Sequence, residues 1–271
     1  MTRLTLERVG FAYPDGTRAL TEIDLEIGDG EAVAIVGQNG SGKTTLARHL
    51  DGLLRPTEGR VLYDGIDTAG LRTARMAAVV GMAFQDPDRQ IFARRIRDEV
   101  AFGPRVLGRS SGEVLAAVTR ALELVGLAGA ADENPYDIGF SRRKLLALAS
   151  VHAMETPAVV LDEPTTGQDA PGLGRVRAVI ADLLASGRTV IGISHDMRFV
   201  AETFRRVVVM RGGRIVLDGS PADVFAETAW PTLASTFIEP PLPARLGARL
   251  GLGSTPTEAL FVEAVEASRA P

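Results

Sequence analysis

The clearest chemical signature in the sequence lies at residues 33–45, where an apolar run leads into a glycine-rich turn and then into a helical pattern. Gly37, Gly40 and Gly42 carry no Cβ, so successive backbone N–H groups can point at one anion from the N-terminus of the helix. This spacing predicts a loop that binds phosphate groups. The remaining positions expected to line the same site are Gln38, Asn39, Ser41 and Thr45.

Lys43 and Thr44 supply side-chain chemistry at the end of this loop. Lys43 would place a positive charge beside phosphate, and the Thr44 hydroxyl is the ligand that such loops offer to Mg²⁺. The stretch fits the pattern Gly-x-x-x-x-Gly-Lys-Ser/Thr in the strand-to-helix context that this pattern requires. A glycine-rich turn followed by a chance Lys-Thr pair is the alternative. The context favours a site for a nucleoside triphosphate and Mg²⁺.

Two adjacent carboxylates, Asp162 and Glu163, follow the apolar run 158–161, which is typical of a buried parallel strand. Beside a phosphate loop, one carboxylate can hold Mg²⁺ and the other can orient or deprotonate an attacking water. The other interpretation is a helix N-cap pair ahead of Pro164. The nearby phosphate loop favours the catalytic and metal-binding roles.

Three further side chains stand where apolar strands end. Gln85 follows a strand predicted at 78–84, and His195 follows one predicted at 189–193. Ligand-contacting residues collect at such carboxyl ends in parallel sheets, although each residue could also be an ordinary loop or structural residue. Tyr13 ends the first strand, where its ring would either stack on an adenine or pack on the core.

The elements that must position these residues alternate between strand and helix. Residues 3–27 predict two strands joined by a turn at 14–16, and residues 58–66 predict a hairpin with Asp64-Gly65 at its turn. A helix is predicted over 43–54, and a second hairpin over 206–217. These patterns indicate an α/β fold with a β-layer ahead of the phosphate loop.

The pattern is helical from 87 to 154. Ser110 and Glu113 form a capping box, and a second helix is predicted over 142–154 with Ser141 as its N-cap. The first turn of that helix is basic, which opposes the helix dipole unless an acidic group lies near. We expect a nucleotide-binding domain at 1–228 with residues 87–154 as a helical subdomain, and a C-terminal extension at 229–271 with an amphipathic helix over 257–267.

Composition limits the classes of function. The chain has 271 residues, 45% of them hydrophobic, which is ample for a buried core. A net charge of −4 and a pI near 5.5 argue against a nucleic-acid-binding surface, and the absence of cysteine excludes disulfides and thiolate metal sites. The charged residues 1–8 do not resemble a signal peptide, and no apolar run reaches the ~20 residues that cross a bilayer.

These motifs, in this order, resemble the ATPase subunits of ABC transporters over essentially the whole chain. Residues 37–44 are similar to the Walker A loop of that family and residues 159–163 to its Walker B strand. Tyr13 falls where the family places an adenine-stacking aromatic residue. The resemblance implies an ABC-type P-loop ATPase with a RecA-like, mostly parallel sheet, an antiparallel β-layer and an inserted helical subdomain. It also implies catalytic roles for Glu163, His195 (the switch histidine) and Gln85 (the Q-loop glutamine), and Mg²⁺ binding by Thr44, Gln85 and Asp162.

Weaker signals indicate a subgroup. Residues 84–92 read Phe-Gln-Asp-Pro-Asp-Arg-Gln-Ile-Phe, which is similar to the Phe-Gln-Asn-Pro-Asp-Asp-Gln-Leu-Phe stretch of energy-coupling factor importers for vitamins and transition-metal ions. The tail at 239–242 and 255–258 resembles their C-terminal extension.

One segment and one further residue depart from the family. Residues 138–142 read Ile-Gly-Phe-Ser-Arg where the family reads Leu-Ser-Gly-Gly-Gln, and Gln168 stands where the family usually carries leucine. In the family the first of these segments closes over the ATP of a partner subunit. Phe140 places a bulky side chain where the backbone should approach, so the site that this chain completes for its partner is expected to be weak or inactive.

The resemblance therefore implies an ATP-hydrolysing subunit, peripheral at the cytoplasmic face of the membrane, that pairs with a second, non-identical ATPase. Its further partners would be a transmembrane coupling protein and a substrate-binding membrane protein, with no nucleic acid. Two alternatives stay open: a nucleotide-binding regulatory subunit without hydrolysis, and an ABC ATPase of another transporter type.

Overall fold

The computed structural model describes residues 3–269, which form two sheets and a set of helices. The strands are β1 (Leu4–Ala12), β2 (Arg18–Ile27), β3 (Ala32–Gly37), β4 (Glu58–Tyr63), β5 (Ile66–Asp67), β6 (Val80–Ala83), β7 (Ala158–Asp162), β8 (Thr189–Ile193), β9 (Arg206–Arg211) and β10 (Arg214–Gly219). The helices are α1 (Lys43–Leu50), α2 (Thr73–Ala77), α3 (Ile96–Val106), α4 (Ser111–Leu124), α5 (Phe140–Met154), α6 (Ala170–Ala185), α7 (Met197–Thr203), α8 (Pro221–Val224), α9 (Trp230–Ala234), α10 (Leu242–Arg249) and α11 (Glu258–Arg269).

The larger sheet runs in the order β10-β9-β3-β8-β7-β6, and all its strands are parallel except β10 at one edge. The smaller sheet is antiparallel, in the order β2-β1-β4-β5. Asp64 and Gly65 both have positive φ at the turn between β4 and β5, as a tight Asp-Gly hairpin requires. The predicted α/β fold, with a mostly parallel sheet and an antiparallel layer, is confirmed.

Apolar residues bury both faces of the larger sheet. Successive residues of β3 alternate between the two sides: Val33 and Ile35 join the apolar layer that faces β1 and β2, whereas Ala34 and Val36 join the layer that faces α3 to α6. A strand covered on both faces has no solvent side, which explains why β3, β7 and β8 read as continuous apolar runs.

Helices α3, α4 and α5 lie between β6 and β7 in the chain and pack on one another. The capping box of α4 is present as predicted, because the Ser110 side chain accepts the Glu113 N–H and the Glu113 side chain accepts the Ser110 N–H. Within residues 3–269 no helix is long and apolar enough to cross a membrane.

Three local predictions were wrong in their bounds or their caps. Helix α1 ends at Leu50 and not at 54, because Asp51 is followed by Gly52 with φ +77°, which breaks the helix. Helix α5 begins at Phe140 with Gly139 as its N-cap, so Ser141 lies in the first turn and is not the cap. The strand predicted at 78–84 extends only from Val80 to Ala83.

The tail after α8 contains more structure than the single helix predicted over 257–267. It forms α9, α10 and α11, and α11 extends from Glu258 to Arg269. Leu233, Ile238 and Ala244 are buried in the same apolar layer as the helices between β6 and β7. This part of the tail therefore packs on the body of the protein.

Candidate active site

Most of the predicted site residues converge at the carboxyl ends of four neighbouring strands, β3, β8, β7 and β6, and Tyr13 joins them from the end of β1 in the smaller sheet. The Glu163 N–H donates to the Ile193 carbonyl at 2.9 Å, which ties the carboxylate pair to the strand that precedes His195. A cleft of about 300 Å³ opens at this edge. Its lining includes Tyr13, Asn39, Gly40, Gly42, Lys43, Thr44, Thr45, Gln85, Asp162 and Glu163.

Glycine is needed for steric reasons at two positions of the phosphate loop. A Cβ on Gly37 would lie 2.4 Å from the Met210 carbonyl oxygen and 2.5 Å from Ser41 Oγ. A Cβ on Gly42, whose φ is +103°, would lie 2.7 Å from the Ala19 carbonyl oxygen. The loop is therefore pressed against β9 and β2 and can take its shape only without side chains at these positions.

Lys43 closes the loop on itself. Its Nζ donates to the carbonyl oxygens of Gly37 and Gln38 at 2.8 and 2.9 Å, although the side chain is only 8% exposed. Burial lowers the pKa of Lys43, while the charges of Glu163 and Asp162 oppose that effect. The ammonium lies within reach of any phosphate held by the loop.

Asp162 has the features of a cation ligand. The Thr44 hydroxyl donates to Asp162 Oδ2 at 3.4 Å, and within residues 3–269 the buried Asp162 Oδ1 has no hydrogen-bond partner. Burial, and then the neighbouring Glu163 charge, raises the pKa of Asp162. A buried carboxylate oxygen without a donor is costly, so a cation at this point would compensate it.

Glu163 is held in an uncommon conformation. Its φ is +51°, a left-handed backbone that typically costs about 1–3 kcal/mol for a residue other than glycine. Its Oε2 accepts a hydrogen bond from His195 Nδ1 at 2.7 Å, and the histidine ring is largely exposed. This geometry aims a carboxylate at the cleft and orients it with an imidazole.

Gln85 and Tyr13 both line the cleft. Gln85 is exposed and also borders the adjacent groove beside Phe84. The Tyr13 ring packs edge-on against Phe11 at 4.9 Å, and its hydroxyl hydrogen-bonds with Thr45 Oγ1 at 3.0 Å, while the side chain also borders the cleft.

Sequence reasoning missed two residues near the site. Arg18 lines the cleft and forms an ion pair with Glu58, but strand alternation alone does not distinguish it from other exposed residues. Lys144 was predicted only as part of a basic first turn. Its Nζ turns inward and donates to the Glu163 carbonyl oxygen. Burial lowers the pKa of Lys144, and the Glu163 charge opposes this.

The departures from the family pattern touch one another. The Phe140 ring lies against Gly167, where a Cβ would be 2.9 Å from Phe140 Cε1. Ser141 Oγ donates to Gln168 Oε1 at 2.9 Å, and Gln168 Nε2 donates back to the Ser141 carbonyl oxygen at 3.0 Å. Phe140 is 42% exposed at the start of α5. The predicted basic first turn is partly balanced, since Arg143 pairs with Asp88.

Comparisons with known proteins point to one family. The family model described as ABC transporter matches residues 20–166. An energy-coupling factor transporter ATP-binding protein, EcfA2 of Symbiobacterium thermophilum, is 41% identical over 233 residues, which cover 83% of this chain and 81% of that protein. The structure of CbiO1 from Clostridium perfringens, described as part of the ABC transporter complex CbiONQ, superposes with a TM-score of 0.76 at 33% identity, covering 92% of this chain and 98% of that one.

Some relatives are much longer than this chain. A putative ABC transporter ATP-binding protein of Methanosarcina acetivorans is 43% identical over 241 residues, which cover 89% of this chain but 39% of that protein. The chain spans about two fifths of the length of this relative and of two similar ones. The stretch matched by the family model contains both the phosphate loop and the carboxylate pair. The chain therefore belongs to the ABC transporter family and has the P-loop ATPase fold of its ATP-binding cassettes.

Proposed function

We propose that this chain binds and hydrolyses ATP as one of two non-identical ATPase subunits that power a membrane importer of the energy-coupling factor type. The observation that carries the proposal is the Glu163–His195 hydrogen bond of 2.7 Å at the edge of a cleft that also contains Lys43 and the phosphate loop. A carboxylate held by an imidazole beside a phosphate site is suited to orient or deprotonate an attacking water.

The residues of the cleft fit Mg²⁺. Asp162, with its unpartnered buried oxygen among the described residues, and the Thr44 hydroxyl would hold the ion, and Gln85 borders the same cleft. When bound, Mg²⁺ neutralises charge on the β- and γ-phosphates. When a nucleotide binds, the Lys43 ammonium would give up its hydrogen bonds to the carbonyl oxygens of Gly37 and Gln38 and contact phosphate oxygens instead. Tyr13 would stack on the adenine.

A groove beside the site supports coupling to a membrane protein. It measures about 440 Å³ and is bordered by Phe84, Phe92 and Phe102. Phe92 and Phe102 pack edge to face at 4.7 Å, and both are exposed. Gln85, which lines the cleft, follows Phe84 directly in the chain, so a transmembrane coupling protein docked in this groove would respond to the occupancy of the cleft. We place the subunit at the cytoplasmic face of the membrane, and we propose a vitamin or a transition-metal ion as the transported solute.

The altered segment 138–142 supports a non-identical partner. Gly139 has no side chain to contact a ligand, and the exposed Phe140 ring occupies the first turn of α5. In a dimer of two copies of this chain, each copy would present the altered segment 138–142 to the other. A partner with the usual segment would complete the cleft of this chain, giving one competent site.

The test is ATP turnover by the purified chain alone and mixed with each ATPase subunit encoded near it. Turnover is expected only in a mixture, and Glu163→Gln should lower it by about 10²- to 10⁴-fold while ATP still binds. Glu123→Gln, at an exposed position of α4, is the matched control and should keep the wild-type rate.

Each of the other outcomes would contradict a different part of the proposal. A mixture whose turnover is untouched by Glu163→Gln would make this chain the regulatory subunit, since all hydrolysis would occur at the partner's site. Vigorous turnover by the chain alone would contradict the heterodimer, because segment 138–142 would then support hydrolysis. Loss of ATP binding in Glu163→Gln would contradict the assignment of Glu163 to the chemical step.

A further inference from the structure

The chain has two lysines, Lys43 and Lys144, and every other residue in its combined count of lysine and arginine is an arginine. Both lysines are buried, Lys144 at 6% exposure, and both lie within electrostatic reach of Asp162 and Glu163. Lys43 belongs to the phosphate loop, but the mechanism above gives Lys144 no role. An ammonium is a compact donor, whereas a guanidinium is wide and planar. Lysine thus occurs at the two positions where a small buried cation fits.

Lys144 binds the backbone of the candidate catalytic residue. Its Nζ donates to the Glu163 carbonyl oxygen, while the Glu163 N–H donates to Ile193 and the Glu163 carboxylate accepts from His195. A left-handed residue keeps that conformation only where its surroundings hold it. The hydrogen bond from Lys144 adds α5 to the elements that hold Glu163 in this conformation.

Further contacts hold the start of α5, the helix that carries Lys144. The reciprocal hydrogen bonds between Ser141 and Gln168, and the Phe140 ring on Gly167, join the first turn of α5 to the segment after Glu163. We call these contacts, together with that of Lys144, the α5 clip. Phe140, Ser141 and Gln168 are positions where the sequence departs from the family pattern, and in the structure they lie together.

We propose that Lys144 is a positioning residue for Glu163, and that the Ser141–Gln168 pair keeps Lys144 in place. This inference rests on the proposed function, because it takes Glu163 as the residue that acts on the attacking water. Through the α5 clip, the first turn of α5 and the Glu163 backbone move together. Among residues 3–269, Lys144 is not part of the cleft lining, so its loss should affect turnover and leave nucleotide affinity unchanged.

Kinetics of Lys144 variants in the active assembly test the proposal. Lys144→Met keeps an unbranched side chain as far as Cε and removes the donor. We expect kcat to fall about 10- to 100-fold through misplacement of Glu163, with the KM for ATP and the Kd for Mg·ADP within about twofold of wild type. Lys144→Arg retains a donor and should recover part of kcat. Arg269→Met, at an exposed position of α11, is the control.

A Lys144→Met protein that folds and keeps wild-type kcat would overturn the inference. Glu163→Gln in the same assay separates this result from failure of the proposed function. If Glu163→Gln is inactive and Lys144→Met is fully active, only the positioning role is refuted. If Glu163→Gln is itself active, the proposed function is refuted.

A spectroscopic measurement needs no activity. The chain labelled with ¹⁵N- and ¹³Cε-lysine should give one side-chain signal from each of its two lysines, and Lys144→Arg assigns them. In Gln168→Leu, the Lys144 ammonium protons should exchange with water at least about tenfold faster than in wild type, because local opening becomes easier, while the Lys43 signal stays unchanged. An unchanged Lys144 signal in Gln168→Leu would overturn the α5 clip even if Lys144→Met fails to fold.

Discussion

Asp51 predicts a pH dependence of stability that can be measured directly. It ends α1, the helix that follows the phosphate loop, and is 6% exposed. Its Oδ1 accepts the Leu53 N–H at 2.8 Å. Burial raises the pKa of Asp51 from 3.8 to about 6, although the Leu53 hydrogen bond and the charge of Arg48 act in the opposite direction. The charge also lies at a helix C-terminus, where the helix dipole disfavours an anion.

The sign and size of the pH effect on stability follow from this rise in the pKa of Asp51. In the unfolded chain the group ionises near its ordinary value of 3.8. The folded state therefore holds the proton more tightly, and stability is lost as pH rises from about 4 through 6. A difference of about 2 pH units corresponds to roughly 3 kcal/mol between the two protonation states. Asp51→Asn keeps an acceptor for Leu53 and carries no charge, so it should exceed wild type in the free energy of unfolding by about 2–3 kcal/mol at pH 8.

Urea unfolding between pH 4.5 and 8 measures this difference. Fluorescence of Trp230, the single tryptophan, reports on the tail, and far-UV circular dichroism reports on the whole fold. The advantage of Asp51→Asn should shrink to about 1 kcal/mol as pH falls to 4.5, where the unfolded chain is still mostly ionised at this group. Asp29→Asn, at an exposed position, is the matched control. An advantage that does not vary with pH, or none at pH 8, would refute the reasoning from burial.

Two further predictions concern the cleft. Gly37→Ala should weaken binding of ATP and ADP alike by at least about tenfold in calorimetric titration, because its Cβ would collide with the Met210 carbonyl oxygen. Gly174→Ala on α6 is the control and should bind normally, because a Cβ there would meet no described atom within 4 Å beyond its chain neighbours and its own helix backbone. Tyr13→Ala should raise the Kd for ATP about tenfold by removing a stacking surface worth roughly 1–3 kcal/mol, and Tyr13→Phe should bind as wild type. Neither Tyr13 variant should change the affinity for inorganic tripolyphosphate; a loss there would show that Tyr13 supports the loop through Thr45 and not the adenine.

Local sequence patterns predicted most of what places the site. The apolar runs in β3, β7 and β8 end at the phosphate loop, at Asp162 and before His195, and the sheet brings those ends together as expected. The capping box of α4 was predictable because both of its partners lie within four residues. These features depend on spacing along the chain, which a sequence displays directly.

What the sequence did not reveal depends on partners far along the chain. Ser141 is a good N-cap by type, but its hydroxyl bonds Gln168, and Gly139 caps the helix instead. Lys144 looked like an exposed charge of a first turn, and only the packing of α5 shows that it meets the Glu163 carbonyl. A contact between residues that are distant in sequence has no periodicity, so pattern reasoning cannot detect it.

The order of strands in the larger sheet has a consequence for biosynthesis. Strand β3 pairs with β8 and β9, which are made more than half the chain later. At translation rates of 5–20 residues per second, β3 would wait roughly 10 to 30 s on the ribosome for its neighbours. During that interval a fully apolar strand has two open edges, which invites chaperone binding or misassembly. The phosphate loop therefore matures late, and nucleotide capture by a nascent chain would mark the moment at which the sheet closes around β3.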